Sequence, residues 1–288
     1  MSTDWKIDCG SDGFVLFGSQ SSRYPFAVAP EIGDADRTDQ DSSLPGVDGN
    51  FFGVDTTAGQ TVAFGLTAVG EDDAEAEALY AAFRKVWRAD TVRKTPGAVA
   101  TLTAPSGRST FGRPRRITPA YMPRGAGAVG VTVDFATQDD RWYGPEKRLS
   151  VPLRLSQSGG FVFPLTFPMV SRGYTTAANT FVVDGDVDSW PVITIKGPIL
   201  NPTVEVPGCF RFSAALTLQY DEQLRIDTRP GRQTVLRSGS KIASLTRTST
   251  LLPAASLPPG AHTLTLSGSS STGSPTAQIA WRPAYSTP

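Results

Sequence analysis

Histidine is almost missing from this sequence: His262 is the only one among 288 residues. A nucleophile–base–orienter constellation needs a base placed beside its nucleophile. His262 sits between "LPPGA" and "TLTL", at the start of a strand-like run, and reads as a surface or edge-strand residue. Cysteine is equally scarce, with Cys9 and Cys209 alone. Small secreted scaffolds use denser sets, so no disulfide is expected between them. No CxxC occurs, and a zinc site needs three or four ligands. Nowhere do 18 apolar residues run together, which excludes a transmembrane helix. The opening "MSTDWKIDCG" has neither a basic n-region nor an apolar h-region, so no signal peptide is expected, and the product is expected in a cytoplasm, soluble. Excess charge of either sign is also lacking: Lys+Arg and Asp+Glu both total 27. No net field draws the chain to nucleic acid or to an anionic membrane.

The remaining routes to chemistry are thin. "GSDGFVLFG" and "GAGAVG" lack the strand–turn–helix setting of a nucleotide site. "DGDVDS" alternates Asp184, Asp186 and Asp188 like the start of a calcium loop. It has neither the inner Gly nor the distal Glu of an EF-hand, and a strand follows, so it reads as a turn. A carboxylate pair for glycoside hydrolysis leaves no local signature, but the acids here fall in turns and in one helix's first turn. The expectation is a non-enzyme without catalytic residues, cofactor or metal.

What is present points to β structure. Apolar residues make up 39%, with 28 Gly and 23 Pro, while charged residues are only 19%, below the ~25% usual for globular chains. "TVAFGLTAVG" sets Val62, Phe64, Leu66 and Ala68 on one face, and "AVGVTVDFAT" does the same with Val129, Val131, Val133 and Phe135. Between them, "EDDAEAEALYAAFRKVWRAD" carries helical spacing at Ala76, Leu79, Phe83, Val86 and Trp87. Its acids open the segment and its bases close it, as the helix dipole favours, so a helix is expected over 72–89, stopped by Pro96 and Gly97. The acidic, turn-rich stretch 29–50 reads as a long surface loop. Arg108, Arg113, Arg115 and Arg116 in "PSGRSTFGRPRRITPAYMPRG" cannot all share one strand face. The segment 138–148, with Gly144 and Pro145, is the best boundary, giving domains 1–148 and 149–288. Beyond it, short strands ("FVFPLTFP", "NTFVVDGD", "WPVITIKG" and others to "TAQIAWRPAY") alternate with Gly, Pro, Asn and Asp turns, a sandwich pattern. "GSSSTGSP" reads as a hairpin loop.

The stretch "QYDEQLRIDTRPGRQTVL" packs a carboxylate, a hydroxyl and two arginines into six positions, Arg225, Asp227, Thr228 and Arg229 among them, then Pro230-Gly231. "LTLQYD" and "LRIDT" read as strands paired around a short turn. Pro230-Gly231 suits the centre of a type II turn, since Pro fixes φ near −65° and Gly accepts φ > 0. Asp227 and Thr228 are placed to bond neighbouring backbone groups. The cluster is therefore a structural corner, its arginines expected to project into solvent or toward a neighbour.

The order "GPILNPTVE" … "LTLQYDEQLRIDTRPGRQTVLRSGS" … "LPPGAHTLTLSG" … "AQIAWRPAY" resembles the distal tail proteins of long, flexible-tailed phages (siphophages), often labelled minor tail proteins in phages of actinobacteria. The matching positions are Gly197, Pro198, Asn201, Pro202, Asp227, Thr228, Arg229, Pro230, Gly231, Pro259, Gly260, Trp281, Arg282, Ala284 and Tyr285. The N-terminal order of strand, long loop, strands, helix, strands and "DFATQDDRWYG" is similar to the family's tail-tube-like domain. The resemblance implies a mainly β chain: a tail-tube-like β-sandwich or barrel with one α-helix, then a galectin-like β-sandwich. It also implies a hexameric ring continuing the tail tube, joined to the tail tube protein and the baseplate hub at the virion's tail tip. The tape-measure protein and the genome would pass through the lumen, and the chain would be made in the host bacterial cytoplasm. Neither membrane nor specific nucleic-acid binding is implied. A carbohydrate-binding reading competes, with Trp190, Tyr174 and Trp281 as the stacking candidates, and a cell-wall hydrolase is the third.

Overall fold

The structure, a computed structural model, describes residues 4–46, 48–153, 179–270 and 275–288. Two compact units emerge, Met1–Gly144 with Tyr285–Pro288, and Pro145–Ala284. The division falls slightly before the expected 148/149. Lys147–Pro152 pairs along Thr276–Trp281, so it belongs to the second unit's sheet. The chain's last residues, Tyr285–Pro288, belong to the first unit, a return that no local pattern announces.

The first unit is built on one antiparallel sheet. Its strands are β1 (Trp5–Asp8), β2 (Phe14–Phe17), β3 (Phe26–Ile32), and, after the arm described below, β8 (Thr61–Val69), β9 (Ala100–Thr103), β10 (Ser109–Tyr121), β11 (Ala128–Thr137) and β12 (Trp142–Tyr143). The order runs β2-β1-β9-β10-β11-β8-β3, with β12 paired to β10. Along β8 burial alternates strictly, and Val62, Phe64, Leu66 and Ala68 are each at most 1% exposed. The two ends of this sheet meet at one point. Gly18 N–H donates to Tyr24 O (2.8 Å), and Phe26 N–H donates to Gly18 O (3.3 Å). Gly18 has φ 111°, and a Cβ there would lie 2.6 Å from the Phe26 ring. Only glycine permits that closure.

The helix α1 (Asp73–Arg88) is nearly the expected one, with Asp72 as its N-cap: the Asp72 carboxylate accepts Glu75 N–H at 2.7 Å. Asp73 pins the loop ahead of β11 by accepting Gly125 N–H (2.7 Å) and Gly127 N–H (2.9 Å). Two details differ from the sequence reading. The buried face is Ala76, Tyr80, Phe83 and Trp87, while Leu79 and Val86 are only partly buried. The helix ends at Ala89 as expected, where the backbone turns left-handed (φ 44°), but the residues after it are helical again instead of running as loop to Pro96. A second short helix, α2 (Asp90–Lys94), follows, and the Asp12 carboxylate accepts from Thr91 N–H (2.8 Å) and Thr91 Oγ1–H (2.7 Å). The burial of Ala89 and Val92 favours this break over a continued straight helix.

The acidic stretch is not a loop. β4 (Arg37–Thr38) pairs β7 (Thr56–Thr57), and β5 (Ser42–Ser43) pairs β6 (Asn50–Phe51). These pairs continue the β3–β8 ladder, where Ile32 faces Val62. The result is one long hairpin arm that extends β3 and β8 outward. Its residues lack the alternating apolar pattern because neither face of the ribbon packs on the body, and that pattern is what a sequence reading requires of a strand.

The second unit is a β-sandwich. One sheet has the order β13-β24-β15-β19-β20-β21, that is Lys147–Pro152, Thr276–Trp281, Val192–Lys196, Gln223–Asp227, Thr234–Arg237 and Lys241–Ile242. The facing sheet centres on β16 (Ile199–Val206), flanked by β17 (Phe210–Ser213), β18 (Thr217–Leu218) and β23 (Thr265–Ser269). A further pair joins β14 (Thr180–Val183) to β22 (Gly260–Thr263). Ile193, Ile195, Leu224 and Ile226 from the first sheet share one core with Val204, Val206, Phe212 and Leu266 from the second. The chain is thus mainly β with one long helix, as the sequence indicates. The strand run "FVFPLTFP" lies outside the described residues. The expected pairing of "LTLQYD" with "LRIDT" does not occur: β18 pairs β16, whereas β19 pairs β15 and β20. The turn at 219–222 carries the chain from one sheet of the sandwich to the other, so both segments alternate toward the same core without touching edge to edge.

Phe83 is 1% exposed and stacks on Trp87 at 5.5 Å while meeting Phe17 edge-on at 6.3 Å. Phe83→Ala should therefore cost about 3–5 kcal/mol of stability, read by chemical denaturation; a loss below about 1 kcal/mol would contradict the core position.

Candidate functional site

The corner at 227–231 has a defined geometry. The strand β19 delivers Asp227 into a nearly dry position, 4% exposed. Arg229 turns back on it, with Nε–H donating to Oδ1 (2.9 Å) and Nη2–H to Oδ2 (2.6 Å). Arg225 Nη2 reaches the same Oδ2 at 3.5 Å. Arg229 N–H also donates to Asp227 Oδ1 at 3.2 Å. Burial by itself would raise the Asp227 pKa, but the Arg229 hydrogen bonds and charge, with Arg225 behind them, hold it below the ordinary carboxylate value. Thr228 is fully buried, and its hydroxyl donates to Pro191 O at 2.8 Å. Arg232 N–H donates to Arg229 O at 3.0 Å across Pro230-Gly231, where Gly231 has φ 74°. The arginines thus do not project freely, as the sequence suggested: the anion they hold is the protein's own Asp227. The arrangement fixes a corner and leaves no reactive group poised.

The other motif positions do similar work. Gly197 N–H donates to Glu222 O (3.0 Å) ahead of a cis Gly197–Pro198 bond. A Cβ at Gly197 would lie 2.1 Å from Gln219 O. Asn201 takes a left-handed backbone (φ 48°) and donates its N–H to Leu216 O at 2.9 Å. Pro202 O accepts Ala214 N–H at 3.0 Å. Asn201 and Pro202 occupy a register shift in β16 against β23. Glu222 closes the far side of the same strands through a two-pronged ion pair with Arg237. Trp281 is buried against Phe181, ring centroids 4.7 Å apart. Arg282 is half-buried, and Ala284 is fully buried. Tyr285 lies in the first unit, where the Arg108 guanidinium sits 3.6 Å over its ring and donates to Thr287 O at 2.9 Å. The sequence marks Arg108 and Tyr285 separately, and nothing in it joins two residues so far apart.

His262 Nε2 is 2.7 Å from Pro258 O, and Nδ1 is 3.6 Å from Cys209 Sγ. Burial, helped by the Asp188 charge, raises the Cys209 thiol above its ordinary pKa. A thiolate nucleophile is therefore disfavoured. Cys9 is buried too, its thiol pushed up to about 12. Asp184 pairs with Lys147, and Asp188 accepts the Ser256 hydroxyl at 2.7 Å, so the "DGDVDS" carboxylates are drawn to separate partners. Among the described residues no three metal-ligating side chains gather. Of the sugar-stacking candidates, Trp281 has its ring in the core and offers no face. Trp190 donates Nε1–H to Pro253 O at 3.2 Å and is half-buried, and Tyr174 lies outside the described residues. The sequence reading did not single out Asp139, which is half-buried. It accepts Tyr143 O–H at 2.6 Å, and burial raises its pKa.

The first unit presents surface of another kind. Both ends of its sheet, β2 and β3, are edges away from the Gly18 closure. They carry exposed apolar side chains: Phe14 at 60% and Val28 at 67%. On β10 the Arg113 guanidinium donates to Ala98 O and Thr95 O, both at 2.9 Å. Arg115 and Arg116 fall in a register shift of that strand and are exposed, with no carboxylate ion pair among the described residues. Open edges with apolar side chains are surfaces for association.

No family model and no curated protein matches the chain. Among solved structures, it is similar to the Dit protein (gp 19.1) of phage SPP1, a hub of the adsorption apparatus in phages infecting Gram-positive bacteria. That likeness has a TM-score of 0.52 at 12% identity and covers 91% of this chain and 93% of that one. It is also similar to a chain of the phage P2 baseplate in its activated conformation with Ca, at TM-score 0.50 and 14% identity, covering 97% and 98%. The same baseplate with Sr gives TM-score 0.50 and 14% identity, covering 96% and 97%. At these identities the likeness is one of fold.

Two measurements test the corner. Asp227→Ala should cost about 1–3 kcal/mol, since hydrogen bonds to charged groups are lost. Because the folded pKa of Asp227 is lowered, its contribution is present above the unfolded value near 4 and is lost as pH falls through the folded value. Acid titration of stability should show that component in the parent protein and a flatter acid limb in Asp227→Ala. Gly231→Val should lower the melting temperature through about 1–2 kcal/mol of left-handed strain; an unchanged melting temperature would contradict the turn.

Proposed function

We propose that this chain is a structural component of a phage tail tip, a ring that joins the tail tube to the receptor-binding apparatus and surrounds the DNA channel. The observation that carries the reading is the near-full-length likeness to SPP1 Dit, which covers 91% of this chain and so extends into both of its units. The free sheet edges of the first unit support it. Such edges are hazards unless covered, and one heterologous contact repeated around an axis covers them in every copy until the ring closes. Six copies are the expected number, with the first unit, tail-tube-like, supplying most contacts. The second unit, galectin-like and peripheral, lies outside the ring and binds other tip or receptor-binding proteins, and the baseplate hub joins the ring. The tail tube protein abuts the ring, and the tape-measure protein occupies its lumen transiently. The site of action is the virion, after synthesis in the host's cytoplasm.

The ring reading constrains charge. DNA must pass without being held, and cationic surfaces retain phosphate. Arg115 and Arg116 therefore lie between copies or away from the channel. Electron cryomicroscopy of assembled tails tests this directly. The expected image places this protein in a ring coaxial with the tube; a position elsewhere, or Arg115 and Arg116 unpaired along the channel, would sink the proposal.

A further inference from the structure

The arm between β3 and β8 is the largest feature that the fold leaves unused. From Asp36 to Ala58 its described residues are exposed, apart from Gly53. It carries large apolar side chains in water: Phe51 at 62%, Phe52 at 78%, Val54 at 79% and Leu44 at 45%. A two-stranded ribbon is marginal by itself in water, and phenylalanines open to solvent on such a ribbon mark a contact surface. The arm is also acidic, with seven carboxylates and one cation, Arg37, between residues 31 and 60.

A matching surface exists on the same unit. Tyr80, Ala81, Arg84, Lys85, Arg88 and Asp90 line a shallow groove of about 320 Å³ along the outer side of α1. Arg84 and Lys85 have no carboxylate ion pair among the described residues, and only Arg88 is neutralised, by Asp90 at 3.1 Å. Beside Tyr80 stands Tyr121, ring centroids 6.4 Å apart. Tyr121 is 68% exposed, and the adjacent Met122 is 45% exposed. The groove therefore pairs unneutralised cations with an apolar, aromatic rim, the complement of an acidic ribbon bearing phenylalanines.

We infer that the arm of one copy docks on the α1 groove of a second copy, with Phe52 and Val54 against Tyr121 and Met122 and the arm's carboxylates against Arg84 and Lys85. The exposure of the arm shows that it does not pack on its own helix. Because every copy carries both the ribbon and its complement, a second copy is the occupant that the charges favour. One arm-to-groove contact is heterologous, so its repetition generates a closed ring or a filament. This deepens the ring proposal by naming the contact, and it can fail separately from it.

The test is a photo-cross-link. With p-benzoylphenylalanine in place of Phe52, a mixture of isotopically labelled and unlabelled chains is irradiated at low salt and high protein concentration. Mass spectrometry then assigns each adduct to one chain or two. The expected result is a two-chain adduct on the 80–90 or 121–122 segments. Its yield should fall as salt screens the charges. It should be lost in Asp36→Lys/Asp39→Lys/Asp55→Lys and in Arg84→Glu/Lys85→Glu, and return in the chain carrying all five changes. These side chains are exposed, and unchanged melting temperatures would show that each variant is folded. Adducts confined to one chain, adducts elsewhere on the second copy, no adduct, or no recovery in the combined variant would each overturn the inference. Adducts formed in whole tails only with a different protein would do the same. A coaxial ring seen by microscopy without this cross-link would leave the ring standing and remove the arm contact. The cross-link without a coaxial ring would do the reverse.

Discussion

The first unit depends on the contact of Phe17 with Phe64 and Phe83. Phe17 meets Phe64 edge-on at 5.0 Å and Phe83 at 6.3 Å. It thereby ties the edge strand β2 to the strand β8 and to the helix in one cluster. Trp5 extends the chain of rings to Phe64 (5.1 Å) and Trp142 (5.7 Å), and Trp87 extends it along the helix. Each such pair adds about 0.5–1.5 kcal/mol beyond the area it buries. Once these rings are packed, α1 is held on the sheet, and its other side, with Arg84 and Lys85, is left facing outward.

The same packing decides what remains open. A sheet whose ends met all along would have no edges, and one with no closure would have two full-length edges. The Gly18 contact closes it at one point only, leaving Phe14 on β2 and Val28 on β3 in water. The arm continues that opening outward as a ribbon without a packed face. The aromatic rings pack in the cluster, while exposed apolar side chains lie at the sheet edges and along the arm. In the second unit the arginine corner is sealed by its own Asp227, and the sandwich core is continuous. Among the described residues of that unit, no nucleophile is poised beside a base and no clamp stands open.

Much of this was legible from residue order. The alternation in 61–70 and 128–137 named the strands and their inward faces, because a half-buried strand repeats every two residues. The acid-to-base gradient and apolar spacing over 72–89 named the helix, and Pro230-Gly231 named a turn. Errors arose where the deciding partner is distant. Tyr80 replaces Leu79 at the core because the rotation of α1 is set by the sheet beneath it. The short helix α2 that follows Ala89 went unread because its support, Asp12, is remote in sequence. The arm was read as a loop because an unpacked ribbon has no period to read. "LTLQYD" and "LRIDT" alternate correctly yet belong to opposing sheets, since alternation reports a shared core and not a shared edge.

The sequence by itself determined the class of the chain: period-two apolar runs, frequent Gly and Pro turns and one segment of helical spacing give a mainly β protein with one long helix. It also fixed the local corners, because proline and glycine restrict φ whatever surrounds them. Only the tertiary structure decided which groups meet. Arg229 closing on Asp227 is local, but Arg108 over Tyr285, Cys209 beside His262, and the arm standing clear of the body all depend on how strands far apart in the chain come to be neighbours. That is a property of sheet order, which short-range periodicity does not encode.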